Sequence, residues 1–260
     1  MDASSTLYTW NQGELVVVDD CEVAESTLEA ADSFLVSDGR ALATGLHRSR
    51  FRESARERGW RGSSDLSAFW DASIALIPRE GMWFPRFELV TVRDTPRLQF
   101  RLRTAPALND SVVLATAKGD PRTVPHLKGP DLPAMSRLRQ EAQKVGAQEA
   151  VILSEGHITD GASSALLWWR GNELFTPPLG LPRVDSVAAR TVRGVAAALR
   201  VPVDEEEVSP AHLDGTVVWS VNALHGIRAV TAWVDGPRVV QDPARTAAWR
   251  ARLSALARPL

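Results

Sequence analysis

Two groups of predicted β-strands, one in each half of the chain, constrain the fold more than any other feature. In the first half, segments 83–92 and 97–103 have strand character, and Leu98, Phe100 and Leu102 alternate with polar residues. This period of two indicates a strand with one buried face. The predicted strands of the second half are short apolar segments at 112–116, 149–153, 164–169, 216–221 and 228–234.

Helical patterns surround both groups of strands. The predicted helices cover residues 47–59, 64–78, 134–146, 187–199 and 243–258. Strands grouped with helices in each half indicate two α+β domains. Segment 104–111 reads as a linker, so we expect a smaller N-terminal α+β domain at 1–105 and a larger C-terminal domain at 112–260.

Composition excludes several classes of partner and site. The 260 residues carry a net charge of -2, with no basic tract that would favour nucleic acid or a membrane surface. No apolar run approaches the roughly 20 residues that span a bilayer, and the N-terminus lacks the pattern of a signal peptide, so a soluble cytoplasmic protein is expected. With Cys21 as the single cysteine, no intrachain disulfide and no thiolate metal cluster is expected.

Lysine is rare in this chain, which leaves few candidates for chemistry that needs an amine. The lysines are Lys118, Lys128 and Lys144, among 30 lysine and arginine residues. Lys128 is set apart because Gly129 follows it, in a loop that also contains Pro125 and Pro130. A lysine forms an imine with an aldehyde when its amine is deprotonated, which burial or a nearby positive charge promotes.

Segment 151–178 has an order of parts that suggests a specific family. A strand is followed by a polar turn with Asp160-Gly161 and Ser164, then by an apolar strand and Thr176-Pro177. An ordinary β-hairpin with an Asp-Gly turn is the alternative interpretation. The order resembles the signature of the class IV aminotransferases. That is the family of pyridoxal-phosphate (PLP) fold type IV, with branched-chain and D-amino-acid aminotransferases and aminodeoxychorismate lyases.

Three further matches extend the resemblance over most of the chain. Residues 47–51 resemble the His-x-x-Arg-Leu motif, Lys128 stands where the family has its Schiff-base lysine, and residues 218–230 are similar to a segment of the lyase branch. The resemblance implies a two-domain fold of the D-amino-acid aminotransferase type with PLP between the domains. It also implies a homodimer.

The resemblance assigns a role to each matching residue. It implies that Lys128 is the catalytic residue and holds PLP as a Schiff base, and that Arg50 contacts the phosphate. Asp160 takes the role of the carboxylate that keeps the pyridine nitrogen protonated. Ser164 belongs to the same cofactor-binding turn.

The phosphate is expected at the start of the predicted helix 187–199, where free backbone N–H groups favour an anion. Ser186-Val187-Ala188 is the preferred position of the phosphate cup and Arg183-Val184-Asp185 the competing one. The preferred position avoids a carboxylate against a phosphate. Asn222 and Ala223 are expected to complete the cup.

Departures from the family pattern leave the reaction open. Asp160 stands where the family usually has Glu, and Ala165 replaces its Asn. The main hypothesis is an aminotransferase for an amino acid and a 2-oxo acid. The alternatives are 4-amino-4-deoxychorismate lyase, which gives p-aminobenzoate and pyruvate, and a PLP-fold protein without turnover. Arg122 and Arg103 are candidates for binding a substrate carboxylate, and Arg122 is preferred because it lies in the loop shortly before Lys128.

Trp168 and Trp169 are consecutive on a predicted strand beside the expected cofactor site. Since successive side chains of a strand point to opposite faces, one tryptophan is expected to be buried. The other is expected to serve the subunit interface.

Overall fold

The structure, a computed structural model, describes residues 5–18 and 26–260, so Cys21 lies outside the described residues. Its contacts divide the chain into two compact units. The first contains the described residues of 1–108 together with 127–130 and 256–260, and the second contains 109–126 and 131–255. Unit 1 is therefore discontinuous in sequence and includes Lys128. The expected domain limits of 1–105 and 112–260 stay a prediction.

Unit 1 is built on a five-stranded antiparallel sheet of order β2-β1-β8-β7-β3. Its strands are β1 (Ser5–Asn11), β2 (Glu14–Val17), β3 (Ser26–Ser33), β7 (Arg86–Val92) and β8 (Thr95–Arg103). A small second sheet has the order β17-β5-β4-β6. Its strands are β4 (Val36–Ser37), β5 (Arg40–Ala41), β6 (Met82–Trp83) and β17 (Arg258–Pro259).

An aromatic cluster forms the core of unit 1. The helices α1 (Thr44–Glu57) and α2 (Ser63–Leu76) contribute to it. Trp70 of α2 stacks on Phe87 of β7 with ring centroids 4.0 Å apart, and Phe51 of α1 is 2% exposed. The offset and tilted ring contacts of such clusters add to the stabilisation from burial alone.

Unit 2 is built on an eight-stranded mixed sheet of order β11-β10-β9-β16-β15-β12-β13-β14. Its strands are β9 (Ser111–Thr116), β10 (Glu149–Ser154), β11 (His157–Gly161), β12 (Ala165–Arg170), β13 (Glu173–Thr176), β14 (Val203–Glu205), β15 (Val217–Asn222) and β16 (Gly226–Val234). The helices are α3 (Leu132–Lys144), α4 (Val187–Ala198) and α5 (Pro243–Ala255). The predicted α+β class is confirmed. Within residues 5–18 and 26–260, no helix is long and apolar enough to cross a membrane.

Three local features differ from the sequence-based expectation. The predicted strand 83–92 is interrupted after Trp83, because β6 joins the small sheet while β7 joins the five-stranded one. Strand β1, which the sequence pattern did not indicate, lies between β2 and β8. Residues 157–161, expected as part of a turn, form β11.

The expectation that one of the two consecutive tryptophans is exposed at an interface is wrong. Trp168 is 0% and Trp169 5% exposed. Both faces of β12 are covered within unit 2: Trp168 lies in the apolar cluster of the sheet, and Trp169 packs edge-to-face against Trp219 and Trp249. The two-residue period of a strand places consecutive side chains on opposite faces of the sheet, but it does not determine whether either face is exposed to solvent.

Candidate active site

Lys128 lies in a segment that is fixed against the edge strand β3 of unit 1. The backbone N–H of Ala31 donates to the carbonyl of Lys128 at 2.7 Å. At Gly129 φ is +142°, and a Cβ atom there would lie 2.7 Å from Cα of Ala30. Only glycine allows this approach, since it lacks Cβ and tolerates positive φ. The Gly beside Lys128 therefore holds the lysine backbone against β3.

A buried cluster of Asp32, His47 and Arg50 follows directly along β3. The Arg50 guanidinium donates to both carboxylate oxygens of Asp32 at 2.8 and 2.9 Å, and His47 Nδ1 lies 2.7 Å from Asp32 Oδ1. A carboxylate only accepts hydrogen bonds, so Nδ1 of His47 carries the hydrogen. The cluster links β3 to α1.

The charges of this cluster set its ionisation. Burial alone would raise the pKa of Asp32, but Arg50 and His47 outweigh burial and hold that pKa well below its usual range. Burial lowers the pKa of His47, and the positive charges of Arg50 and Lys128 lower it further, against the opposing effect of Asp32. His47 is therefore neutral at neutral pH. The positive charges of Lys128 and Arg50 thus act on the same imidazole.

A second group of charges lies on β7 and β8. Arg86 and Arg101 both bind Glu88, which is 2% exposed. Arg103 donates to the backbone carbonyl of Phe84, and burial together with Arg86 lowers its pKa to about 10 against the effect of Glu88. Three arginines around one carboxylate make this face cationic, and it includes the predicted substrate residue Arg103.

In unit 2, Asp160 lies on β11 and is 7% exposed. The N–H of Gly161 donates to Oδ1 at 3.1 Å, and the N–H of Val184 lies 3.4 Å from Oδ2. Burial raises the pKa of this carboxyl to about 7, although Arg122 and Arg183 act in the opposite direction. Asp160 is therefore a buried acid that is balanced between its neutral and charged forms.

Ser164 belongs to a buried polar network. Its hydroxyl donates to Glu149 Oε2 at 2.9 Å and accepts from Ser220 at 2.8 Å. Arg228 lies 3.3 Å from the same glutamate oxygen and also donates to Ser220. Ser163 binds Glu149 as well. The network ties the start of β12 to β10, β15 and β16.

The start of α4 provides donors for an anion. Ser186 is the N-cap, and its hydroxyl oxygen accepts from the N–H of Ala189 at 3.2 Å. The N–H groups of Val187 and Ala188 belong to the first turn, where the helix itself supplies no acceptor. These groups fit the preferred position of the phosphate cup.

Residues of the competing position have other partners. The Arg183 side chain donates to the backbone carbonyls of Pro177 and Pro178. Asp185 forms an ion pair with Arg190 at 3.0 Å.

Asn222 and Ala223 lie where β15 ends and turns into β16. The Asn222 side-chain oxygen accepts from the N–H groups of Leu224 and His225 at 3.1 and 2.8 Å. Asn222 therefore shapes the turn of this hairpin.

Sequence reasoning missed several charged residues of the two units. Asp32 and Glu149 pair with residues that lie elsewhere in the chain, and Asp120 pairs with Arg122 two residues later. Asp32 stands beside the apolar residues Ala31 and Phe34-Leu35-Val36, and an acid among such residues was the available signal.

Each unit by itself contains groups that fit a part of PLP chemically. A fixed lysine supplies the amine, and the first turn of α4 supplies donors for a phosphate. Asp160 is a buried carboxyl with a pKa of about 7, and a protonated ring nitrogen is the cationic partner that would keep it ionised.

The chain was compared with known families, with curated proteins and with solved structures. The model of the family described as amino-transferase class IV matches residues 29–233. No curated protein matches the chain.

Three solved structures illustrate the likeness. A fold IV transaminase from Curtobacterium pusillum has 17% identity and a TM-score of 0.83, with 96% of this chain and 97% of that chain covered. A hypothetical aminotransferase from Mycobacterium tuberculosis in PLP-bound form has 18% identity and a TM-score of 0.80, with 97% and 98% covered. A putative 4-amino-4-deoxychorismate lyase from Legionella pneumophila has 17% identity and a TM-score of 0.74, with 91% and 93% covered. At such identities the likeness shows the fold.

Proposed function

Since this chain belongs to the class IV aminotransferase family, a family of PLP-dependent enzymes, we propose that it moves an amino group between an amino acid and a 2-oxo acid, with Lys128 as the catalytic residue. The fold is PLP fold type IV. The observation that carries the proposal is the position of Lys128, whose carbonyl is bound to Ala31 beside the Asp32–His47–Arg50 cluster. An amine on a fixed backbone can return to the same position in each catalytic cycle.

Lys128 and Asp160 have different roles in the proposed reaction. PLP, when bound, withdraws electron density from the Cα atom of the substrate. Nζ of Lys128 would hold the cofactor covalently at rest. Once an amino substrate has displaced it, the same Nζ would take the proton from the substrate Cα and deliver it to the C4′ carbon of the cofactor. The Asp160 carboxylate would accept a hydrogen bond from the protonated ring nitrogen and so keep that proton in place.

The phosphate group is assigned to residues that provide N–H donors or positive charge. We assign it to Ser186, Val187 and Ala188 at the start of α4, with Arg183-Val184-Asp185 as the competing position. The competing position would place the carboxylate of Asp185, which pairs with Arg190, beside the phosphate. Arg50, Ser164, Asn222 and Ala223 complete the proposed set.

The substrate carboxylate is assigned to Arg103, with Arg122 as the alternative. Arg103 belongs to a face that carries three arginines and one glutamate, so it retains a net positive charge. Arg122 forms ion pairs with Asp120 and Asp160, which compete with a substrate.

A lyase acting on 4-amino-4-deoxychorismate is the second candidate. Residues 222–224, Asn-Ala-Leu, resemble the lyase branch slightly more than the aminotransferases, and they lie at the turn between β15 and β16. In that reaction Lys128 would move a proton while pyruvate leaves. A protein of this fold without turnover is the third, motivated by Asp160 and Ala165 in place of the family Glu and Asn.

We further propose that the chain forms a homodimer in the cytoplasm. The family resemblance supports the dimer, and the sequence pattern supports the location. Light scattering of the purified protein tests the first, and fractionation of cells tests the second.

Covalent trapping tests the role of Lys128. The purified protein is expected to be yellow, and borohydride should bleach the colour and leave a reduced adduct on Lys128. An adduct on Lys118 or Lys144 would contradict the assignment. Lys128→Ala should abolish the colour, while Lys144→Ala, at an exposed lysine that pairs with Glu141, is the matched control.

Substrate panels separate the candidate reactions. Amino donors are offered with 2-oxoglutarate or pyruvate, and 4-amino-4-deoxychorismate is offered alone. Formation of a new amino acid supports the aminotransferase. Release of pyruvate without an added amino acceptor would favour the lyase instead. A trapped adduct without turnover on any panel member would favour the third candidate.

A further inference from the structure

Arg122 is a buried arginine whose orientation is fixed by an aspartate two residues before it. Its side chain is 4% exposed. Nε donates to Oδ1 of Asp120 at 2.8 Å and Nη2 donates to Oδ2 at 2.7 Å. Two parallel hydrogen bonds fix the plane of a guanidinium, because the group is rigid and planar. The direction of the remaining nitrogen, Nη1, follows from that plane.

The fixed guanidinium is directed at the end of β11. Nη1 lies 3.5 Å from Oδ2 of Asp160, and Nη2 lies 3.5 Å from the hydroxyl of Thr159. Four of the five N–H groups of Arg122 thus face acceptors of unit 2. Asp120, Arg122 and Asp160 together carry one negative charge when both acids are ionised.

Few groups oppose the protonation of Asp160. Two positive charges lower the pKa of Asp160, and the effect of Arg122 is larger than that of Arg183. The N–H groups of Gly161 and Val184 complete the favourable contacts. Burial outweighs all of them and raises the pKa of Asp160 to about 7. Without Arg122, burial would be opposed by Arg183 and the two N–H groups alone.

We propose that Arg122 is a positioning residue that Asp120 holds in place and that keeps the carboxyl of Asp160 ionised for the ring nitrogen of PLP. The inference rests on the proposed function, because it requires that Asp160 meets this nitrogen. If the proton moved from the nitrogen to the carboxyl, the ring would lose the charge that makes it an electron sink. Arg122 therefore acts through Asp160 and does not itself contact the reacting atoms.

The test compares Arg122→Gln and Arg122→Lys with the unchanged chain. Arg170→Gln is the matched control, since it removes the same guanidinium from an ion pair with Glu206 in unit 2. Infrared spectroscopy of the full-length chain without cofactor follows the C=O band of protonated Asp160, which Asp160→Asn identifies. Nitrogen NMR of the protein loaded with ring-¹⁵N PLP reports whether the ring nitrogen carries a proton.

The expected results follow from the loss of positive charge. In Arg122→Gln the pKa of Asp160 should rise by about one unit or more, and the ¹⁵N signal should move from the protonated towards the unprotonated position. Arg122→Lys keeps the charge without the planar fork, so its ¹⁵N signal should fall between the two. Arg170→Gln should match the unchanged chain in both measurements.

Each other outcome overturns the inference in a distinguishable way. An unchanged infrared titration and ¹⁵N signal in both Arg122 variants would show that Arg122 does not control Asp160. A shifted titration of Asp160 with an unchanged ¹⁵N signal would show that Arg122 changes the pKa of the acid but does not control the proton on the ring nitrogen. If Arg122→Gln does not fold, Arg122→Lys decides, and a ¹⁵N signal equal to that of the unchanged chain would count against the need for a planar fork. Failure of the unchanged chain to take up PLP would instead contradict the proposed function, and it is recorded before any variant is compared.

Discussion

Arg50 binds both carboxylate oxygens of Asp32, at 2.8 and 2.9 Å. Oδ1 of Asp32 also accepts from His47 and from the N–H of Ser33, each at 2.7 Å. Asp32 is 0% exposed, so this carboxylate is ionised without access to water. Its charge is balanced by hydrogen-bonded partners from α1, which makes the cluster sensitive to the loss of any one of them.

Asp32→Asn should therefore be strongly destabilising. The variant leaves the Arg50 charge buried without its carboxylate, which costs about 3 kcal/mol or more. The free energy of unfolding in urea measures the effect. Glu29→Gln is the matched control on the same strand, because Glu29 pairs with the partly exposed Arg58 and its loss should cost about 1 kcal/mol or less. An equal loss of unfolding free energy in both variants would contradict the argument that burial makes the Asp32 ion pair more costly to break than the Glu29 pair.

Gly129→Ala should displace Lys128 from β3. The new Cβ would lie 2.7 Å from Cα of Ala30 at a φ of +142°, so the loop must shift at a cost of about 2 kcal/mol or more. Borohydride trapping should then yield less adduct on Lys128. Gly119→Ala in the same loop meets no atom within 4 Å and has no positive φ, so it should change stability by about 0.5 kcal/mol or less. An unchanged yield of the Lys128 adduct in Gly129→Ala would show that the position of this backbone against β3 is not required for cofactor attachment.

The stability of the cofactor-free chain should depend on pH through Asp160. Its folded pKa of about 7 lies above the usual aspartate value of 3.8, so the folded chain binds this proton more tightly than the unfolded chain does. The resulting stability is fully present below about pH 4 and is lost as the pH rises to about 7. At about 1.4 kcal/mol per pKa unit, the total loss is about 4 kcal/mol.

Asp160→Asn should remove this pH dependence, because an amide does not titrate. Urea unfolding at about pH 5 and about pH 8 should show the variant gaining about 2 to 3 kcal/mol relative to the unchanged chain between the two conditions. A constant difference between the two proteins would mean that Asp160 does not titrate in this range. Cofactor-free protein is required, since a cationic partner would stabilise the ionised acid.

Local patterns predicted the helices and most strands to within a few residues, because hydrophobic periodicity depends on neighbouring residues. The exceptions are informative. His157–Gly161 has the Asp-Gly pair that is typical of a turn, yet it pairs with β10 as a strand, since tertiary pairing outweighs local preference.

Most charged partners could not be predicted, because they join residues that are distant in sequence; Asp120, two residues before Arg122, is the exception. Glu149 and Arg228 are 79 residues apart, and Arg122 and Asp160 are 38 apart. No periodicity specifies such pairs. The resemblance to a family supplied Lys128, Arg50 and Asp160 as candidates, but Asp32 and Asp120, which hold two of the arginines, came from the structure alone.

The discontinuity of unit 1 has a consequence for how the chain matures during synthesis. Strand β17 pairs with β5 across more than two hundred residues, and segment 127–130 lies on the edge of β3. Unit 1 is therefore incomplete on the ribosome until residues 258–259 have emerged, although most of it is translated first. The edge of β3 lacks its partner only until segment 127–130 has emerged, and during that interval it is an exposed strand edge that can pair with other chains.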